Sequence, residues 1–321
     1  MLLVTAVCAS VEAPRLARAP LRAATEELVD APGAIASATA RVVANVGESH
    51  LGFDTNVYPG AKAMDAWRRS GDYEWVGYYL PAACHKDDSW AGKRQSLTDS
   101  GWGLAVIYVG QQTWGKSLGK PATTKTHTSR SHQSRKTRSH RARRRSVGSM
   151  QRRSKKPVAT AGTTCAASFV DSTHGVTDAK DAIRRATAEG FPAGTVVFLD
   201  VEYMSTIPKA MRDYYKTWTR TVLADGRYRP GIYAHTRNAE SIYADIRDVF
   251  DDAGVKSDPP FWIAGTSGFD IDKAPKDVGH QFADVWQGML DVVRTHNGVR
   301  LPIDISVASL PSPSSHAYAA Q

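Results

Sequence analysis

The sequence predicts an α/β protein that closes into a (β/α)8 barrel of the TIM type, somewhat irregular in its last third. Apolar runs typical of buried strands alternate with amphipathic helical runs, and eight such strands fit within about 265 residues once a basic insertion is set aside. An open doubly wound sheet is the alternative. No Gly-x-Gly-x-x-Gly or Gly-Lys-Ser/Thr motif follows a strand, so no nucleotide or other cofactor is expected.

The strand and helix signals alternate along the first part of the chain. Residues 103–111 form the most continuous apolar run, which is typical of a strand buried on both faces. The residues before position 113 predict strands at 49–55, 75–80 and 103–111, with helices at 61–70 and 93–100.

The same alternation resumes after the insertion. A helix at 178–189 has an apolar stripe with Thr177 or Asp178 as its N-cap, and a helix at 208–224 carries Met211, Trp218 and Val222 on one face. A third helix is predicted at 238–252, and the helical signals then fade. The remaining strands are predicted at 195–203, 229–234, 260–266, 284–287 and 302–308.

Residues 113–163 interrupt the barrel with a segment dominated by Lys, Arg, Ser, Thr and His. Between Lys116 and Lys156 there are fifteen Lys or Arg and no Asp or Glu, so the net charge of +9 comes from this segment and the remainder carries 26 basic and 32 acidic residues. Such a composition cannot bury enough apolar surface to offset its ordering entropy. It predicts a disordered insertion after strand three.

The two ends of the chain are predicted to lie outside the barrel, and the three cysteines are considered with them. Residues 1–47 read as an Ala-rich leader or disordered arm, 48–310 as the barrel, and 311–321 as a disordered tail, with no transmembrane segment. The three cysteines form no metal-binding pattern, and no metal is expected. Cys84 and Cys165 follow neighbouring strands, so they either form a disulfide in an exported protein or remain as two reduced thiols.

Four carboxylates mark the candidate site. Asp200 and Glu202 end an apolar run two residues apart, which places both on one face of a strand. Alone, such a pair is more often an ordinary solvated strand end or a partner for a neighbouring Arg than a site. Asp54 and Asp304 stand near the ends of strands one and eight, and because strand ends converge at the barrel mouth, the four acids are expected to form one acidic pit.

Aromatic residues at comparable strand positions support a carbohydrate site, since sugar rings stack on flat aromatic faces beside an acid that protonates the glycosidic oxygen. Each one alone is more simply explained by core packing, and it is their coincidence with the acids that carries the inference. The candidate substrate-binding residues are Tyr78, Tyr108, Tyr203, Tyr233, Trp262, Trp286 and Gln287.

The chain resembles the glycoside-hydrolase-like TIM-barrel family known as domain of unknown function 1906, which is related to the family 25 glycoside hydrolases, lysozymes that cut peptidoglycan. The resemblance covers about residues 48–310 apart from the insertion and rests on eight short motifs in order. These are Gly52-Phe53-Asp54-Thr55 with Tyr58-Pro59-Gly60, Trp75-Val76-Gly77-Tyr78-Tyr79-Leu80, Tyr108-Val109-Gly110-Gln111, Phe198-Leu199-Asp200-Val201-Glu202, Gly231-Ile232-Tyr233, Phe261-Trp262-Ile263-Ala264, Trp286-Gln287 and Ile303-Asp304.

The resemblance implies roles for the four acids. Glu202 would be the general acid, with its pKa raised by burial and nearby negative charge, and Asp200 would stabilise the developing oxocarbenium ion. Asp54 and Asp304 would orient and tune them. The chain departs from the family 25 pattern at Thr55-Asn56, Ser306 and His235.

These observations favour a secreted or cell-envelope glycosidase, monomeric, that acts on peptidoglycan or a related polysaccharide; a cytoplasmic location is the alternative. The competing function is a glycan-binding barrel without turnover. Residues 116–156 would attract anionic polymers, and without an aromatic residue they do not suggest base stacking. A solvated loop without a partner is the alternative for that segment.

Overall fold

The computed structural model describes residues 49–115 and 164–315, which form a closed eight-stranded barrel in the order β1 to β8. The predicted α/β barrel is confirmed. The strands are β1 His50–Asp54, β2 Trp75–Leu80, β3 Gly103–Tyr108, β4 Val196–Val201, β5 Arg229–His235, β6 Phe261–Ala264, β7 Ala283–His296 and β8 Val299–Ala308. The helices are α1 Ala61–Arg68, α2 Arg94–Asp99, α3 Ser172–Ala188, α4 Lys209–Asp225 and α5 Thr236–Asp252, with 3-10 turns at Ala167–Phe169 and Pro275–Val278.

The last strand departs from the expected parallel arrangement. Strands β1 to β7 pair in parallel, whereas β8 runs antiparallel to both β7 and β1. The cause is the two-residue turn Asn297-Gly298, in which both residues have positive φ and His296 pairs with Val299. Asn-Gly turns of this kind connect antiparallel strands. No helix separates β7 from β8, which accounts for the irregular last third.

Large aromatic rings fill the barrel interior below its mouth. The ring of Trp262 lies 5.5 Å from that of Trp75 and 5.8 Å from that of Phe198. Glycines on neighbouring strands make room for them, since a Cβ on Gly52 would lie 2.1 Å from the Trp75 indole and one on Gly231 would lie 2.7 Å from the Phe198 ring. Alternating small and large inward residues give a packed core beneath the polar mouth.

The helices bury apolar stripes against the outside of the barrel. In α4, Met211, Trp218 and Val222 are buried as the sequence predicts. The predicted N-cap of α3 is wrong because this helix begins six residues earlier, at Ser172, with Asp171 accepting a hydrogen bond from the His174 backbone N–H. Asp178 lies inside α3 and accepts a hydrogen bond from the Tyr214 hydroxyl.

The predicted disordered tail at 311–321 is ordered in its first five residues. Ser314 accepts a hydrogen bond from the Val196 backbone N–H at 2.9 Å, and its hydroxyl oxygen accepts another from the Val106 N–H at 2.7 Å. Residues 311–315 thereby cover the starts of β3 and β4. The leader at 1–47, nearly all of the basic insertion and residues 316–321 lie outside the described residues.

Candidate active site

The four candidate acids line one pit at the mouth of the barrel, with a volume of about 440 Å³. We call Asp54, Asp200, Glu202 and Asp304 the acid pit. Asp54 is the last residue of β1, and its partner across the sheet is Asp304. Asp304 is the sixth of the ten residues of β8, and it lies at the mouth because β8 runs antiparallel to β1 and pairs Asp304 with Asp54.

Asp54 is the most enclosed of the four acids, with 4% of its surface exposed. One oxygen of its carboxylate accepts a hydrogen bond from the Tyr79 hydroxyl at 2.6 Å, and the other accepts one from the Gln287 side-chain amide at 2.8 Å. Asp304 accepts a hydrogen bond from the Asp291 backbone N–H at 2.6 Å. Two of the acids therefore have donors that favour their ionised forms.

Two glutamines orient the site. Gln287 accepts a hydrogen bond from the Tyr233 hydroxyl at 2.7 Å, which leaves its amide N–H groups to face Asp54 and, at 3.4 Å, Asp304. Gln112 donates to the Asp200 backbone carbonyl at 2.8 Å and accepts from the Glu202 backbone N–H at 3.4 Å. The end of β4 is thus held by a side chain that follows β3.

Burial and mutual repulsion raise the pKa values of all four carboxyls that define the acid pit. The pKa of Asp54 rises from 3.8 to about 7, chiefly by burial and then by the charge of Asp304. Burial followed by the charges of Glu202 and Asp54 holds the pKa of Asp200 well above its usual range. The pKa values of Glu202 and Asp304 are raised mainly by burial. The pit therefore retains protons near neutral pH.

Asp200 and Glu202 have fewer hydrogen-bond donors to their carboxyl groups than Asp54 and Asp304 have. The buried Oδ1 of Asp200 has no hydrogen-bond partner among the described residues. For Glu202, the hydrogen bond that opposes its raised pKa comes from the backbone of Tyr203. Neighbouring carboxyls with different donor sets divide into proton holders and anions, which is the arrangement that acid catalysis requires.

Three of the seven candidate substrate-binding residues face the pit. Tyr233, Trp262 and Gln287 line its inner part, a space of about 80 Å³ that all four acids also border. Tyr203 lies beside the pit, 45% exposed, on a separate cavity at the ends of β4, β5 and β6.

The other three candidates lie away from the pit, which corrects their expected position. The Tyr78 hydroxyl donates to Glu189 at 2.5 Å and the Tyr108 hydroxyl donates to Asp181 at 3.2 Å, so both rings face the helices outside the barrel. Trp286 donates its indole N–H to the Gly265 carbonyl at 2.6 Å and supports the loop after β6. Successive residues of a strand face opposite sides, and these three point outward.

Tyr79, Gln112 and Asp291 contact the acids directly but are not among the site residues predicted from the sequence. For Tyr79 a signal existed, because it lies two residues after Gly77 and four after Trp75, both of which approach interior groups. Asp291 acts through its backbone and Gln112 follows the end of β3, so neither has a pattern that distinguishes it.

One side of the pit is closed by a disulfide between Cys84 and Cys165, whose Cα atoms are 4.7 Å apart. The alternative of two reduced thiols does not describe this structure. His85 also lines the pit, with its ring 4.9 Å from that of Tyr79, and burial lowers its pKa. Within the described ranges, no group of three or more His, Cys, Asp or Glu side chains is arranged to hold a metal ion.

Among the residues that the structure describes, no helix is long and apolar enough to cross a membrane.

No curated protein matches the chain. One similar solved structure is an uncharacterized B. stearothermophilus protein, with 17% sequence identity, coverage of 81% of this chain and 95% of that chain, and a TM-score of 0.48. Another is the Mycobacterium tuberculosis Tat-secreted protein Rv2525c in complex with L-tartrate, with 15% identity, coverage of 81% of this chain and 94% of that chain, and a TM-score of 0.41. A third is a family GH25 lysozyme from Aspergillus fumigatus, with 12% identity, coverage of 81% of this chain and 93% of that chain, and a TM-score of 0.39. These similarities are too distant to bear on activity.

The family comparison is more direct. The model of the Rv2525c-like, glycoside hydrolase-like domain matches residues 65–308. The match includes Asp200, Glu202 and Asp304 and begins after Asp54. It spans well over half of the chain, and the chain therefore belongs to the Rv2525c-like glycoside hydrolase-like domain family.

Proposed function

We propose that this protein hydrolyses a glycosidic bond in peptidoglycan or a related polysaccharide of the cell wall. The observation that supports it is the acid pit, where four carboxyls with unequal hydrogen bonding share one open cavity at the barrel mouth. Glycoside hydrolysis needs one carboxyl that holds a proton and another that carries negative charge. The pit supplies both in a member of a glycoside hydrolase-like family.

Glu202 is the proposed general acid. Its carboxyl is half-buried and its pKa is raised, so it keeps a proton for the glycosidic oxygen at a pH where an exposed glutamate has lost it. It borders both the outer and inner parts of the pit. A glycosidic oxygen at the junction of the two parts would lie within its reach.

Asp200 is the proposed stabiliser of positive charge. Its unpartnered Oδ1 is the oxygen available to a group on the substrate, and positive charge developing nearby would lower the raised pKa of this carboxyl. Asp54 and Asp304, which accept hydrogen bonds from Gln287, would hold the resting negative charge of the pit and keep Asp200 and Glu202 protonated.

The substitution Glu202→Gln tests the proposal, because glutamine keeps the shape of the side chain and cannot donate the proton. Release of new reducing ends from purified peptidoglycan and from other wall polysaccharides should fall by about 100-fold or more. Glu74→Gln is the matched control, since Glu74 precedes β2 at the opposite end of the barrel, where it pairs with His50. Unchanged release by a folded Glu202→Gln protein would refute the assignment.

Glycan binding without turnover is the second candidate function. The exposed ring of Tyr203 beside an open cavity favours it, because a sugar can bind there without reaching the acids. The enclosed acids oppose it, since a binding protein has little need to bury four ionisable carboxyls beside one another. Measured glycan affinity of the wild-type protein without any released product would favour this function over hydrolysis.

We propose a location outside the cytoplasm, in the cell envelope or the medium. The Cys84–Cys165 disulfide supports this, because disulfides persist in oxidising compartments and are rare in the cytosol. Trapping of free thiols in intact cells tests it. The two cysteines should resist alkylation until a reductant is added.

A further inference from the structure

A second cavity of about 280 Å³ opens beside the acid pit, at the ends of β4, β5 and β6. We call it the side cavity. Tyr203 lines it, and the preceding residue, Glu202, lines the pit, so the two spaces are neighbours along the mouth of the barrel. The other lining residues are His235, Thr236, Arg237, Gly265, Thr266, Ser267 and Val278.

The two neighbouring spaces have opposite charge. The pit is lined by its four acids and by Asp291 and contains no Lys or Arg, whereas the side cavity contains Arg237 and no acid. No carboxylate of the described residues forms an ion pair with Arg237, while Arg185, Arg212 and Arg247 each pair with an aspartate. The Arg237 guanidinium is therefore available to an anion from outside the protein.

The residues around Arg237 add hydrogen-bond donors. The His235 Nδ1 accepts a hydrogen bond from the Arg237 backbone N–H at 3.1 Å, so the neutral ring carries its proton on Nε2. Burial and the Arg237 charge lower the pKa of His235, which keeps the ring neutral. Thr266 and Ser267 contribute hydroxyl groups to the same wall.

The position of the guanidinium is defined by an aromatic ring. The Arg237 guanidinium carbon lies 6.0 Å from the centre of the Tyr203 ring, and the His235 ring lies 5.0 Å from it. The cavity floor is also held, because Trp286 donates a hydrogen bond to the Gly265 carbonyl and the Gly265 N–H donates to the Gln287 carbonyl at 2.9 Å. Gln287 is the residue that contacts Asp54, so the cavity and the pit share one support.

We propose that the side cavity binds a carboxylate substituent of the glycan whose glycosidic bond lies in the pit, with Arg237 as the charged contact. The proposal rests on the proposed function and specifies the substrate as an acidic glycan. A sugar carboxylate placed in the pit would meet the negative charge held there by Asp54 and Asp304, and placed in the side cavity it meets a cation and neutral donors. The charge difference would fix which sugar of the chain occupies each space.

Binding to the Glu202→Gln protein tests the proposal without turnover. Calorimetric titrations compare oligosaccharides of N-acetylglucosamine with oligosaccharides of equal length that carry a lactyl carboxylate or a uronic acid, the two arms distinguishing the source of the carboxylate. Adding Arg237→Gln should weaken binding of a carboxylated oligosaccharide by about tenfold or more and leave the neutral one within about twofold. Added salt should weaken only the Arg237-dependent part.

Arg69→Gln is the matched control, because Arg69 is an exposed arginine that caps α1, outside both cavities. Arg237→Lys should restore part of the carboxylate affinity. Equal affinity of the parent protein for neutral and carboxylated oligosaccharides would overturn the proposal, as would an equal loss on both in Arg237→Gln.

The outcome is separable from that of the proposed function. Arg237-dependent binding of a carboxylated glycan, with no product released by the wild-type protein, would refute hydrolysis and keep the site. Hydrolysis that depends on Glu202 but shows no carboxylate preference would refute the site and keep hydrolysis.

Discussion

Single hydrogen bonds decide how the four acids share their protons. Tyr79 and Gln287 donate to Asp54, and the Asp291 backbone donates to Asp304, so these two carboxyls bear negative charge at lower free-energy cost than Asp200. Burial is the largest cause of the raised pKa values of Asp200 and Glu202, and neighbouring charges add to it, those of Glu202 and Asp54 at Asp200 and that of Asp304 at Glu202. Removing one donor should therefore change the protonation of several residues together.

The raised pKa of Asp54 predicts that the barrel loses stability as pH rises. Its folded-state pKa is about 7 against an ordinary value of 3.8, so the folded protein binds this proton more tightly than the unfolded chain. The contribution is fully present below about pH 4 and is lost up to about pH 7, at most about 4 kcal/mol. In Asp54→Asn, the free energy of unfolding should vary less over this interval.

Denaturant unfolding at a series of pH values measures this effect. Asp99→Asn is the control, because Asp99 is an exposed acid at the end of α2. Parallel pH profiles for the wild-type and Asp54→Asn proteins would show that Asp54 is not the group responsible.

At the residue level, the sequence identified the acids better than their partners. Asp54, Asp200 and Glu202 stand where apolar runs stop, and a carboxylate there is visible against its surroundings. Tyr78 and Tyr79 are adjacent aromatics in a strand that is covered on both sides, so no polar alternation tells which one faces inward. The Asp291 backbone donor has no sequence signature at all.

At the level of elements, the β7–β8 hairpin determines where Asp304 lies. In a parallel eighth strand, a residue near its start would face the bottom of the barrel. The antiparallel course instead pairs Asp304 with Asp54 at the mouth. Asp304 lies at the mouth as predicted, although its strand runs opposite to the predicted direction, because the Asn297-Gly298 turn makes β7 and β8 a hairpin.

The Cys84–Cys165 disulfide links the segment after β2 to the segment that resumes the chain before α3. It closes a loop of 81 residues, for which chain entropy gives about 4.5 kcal/mol of stabilisation. The double substitution Cys84→Ser with Cys165→Ser should lower the melting temperature by roughly 10 °C. Differential scanning calorimetry measures the change.

Two controls accompany this prediction. A reductant should lower the melting temperature of the wild-type protein by a similar amount and leave the double variant unaffected. Cys8→Ser should have no effect, because Cys8 is not part of the bridge. Equal melting temperatures for the oxidised wild-type protein and the double variant would contradict the stabilising role.

At the level of the whole molecule, the barrel holds the two ends of the basic insertion close together. The Gln111 side chain donates to the Thr164 carbonyl at 3.1 Å and accepts from the Ala166 N–H at 2.9 Å. The Ala167 N–H also donates to the Gly115 carbonyl at 3.4 Å. Gly115 and Thr164, the described residues on either side of residues 116–163, thus lie near each other and near the disulfide, so a shorter connection can join them without moving the acids.

We expect residues 116–156 to bind polyanions through their fifteen Lys and Arg side chains. Affinity for a random-sequence DNA duplex, used as a standard polyanion, should fall by about 10³-fold between about 50 and 200 mM salt if six or more of these charges make contact. Replacing the segment with a short Gly-Ser linker, or changing its Lys and Arg to Gln at full length, should abolish this binding and leave the melting temperature unchanged.

The two variants separate the effect of the segment's charge from the effect of its length. The same comparison can be made by measuring how much of each protein is retained on purified anionic wall polymer. Loss of retention in both variants at low salt would show that the charge of the segment holds the protein on the wall polymer. Undiminished retention by the neutralised protein would assign wall binding to the barrel itself, where Arg237 is the cation of the side cavity. Adding Arg237→Gln to the neutralised protein should then abolish its retention on the wall polymer.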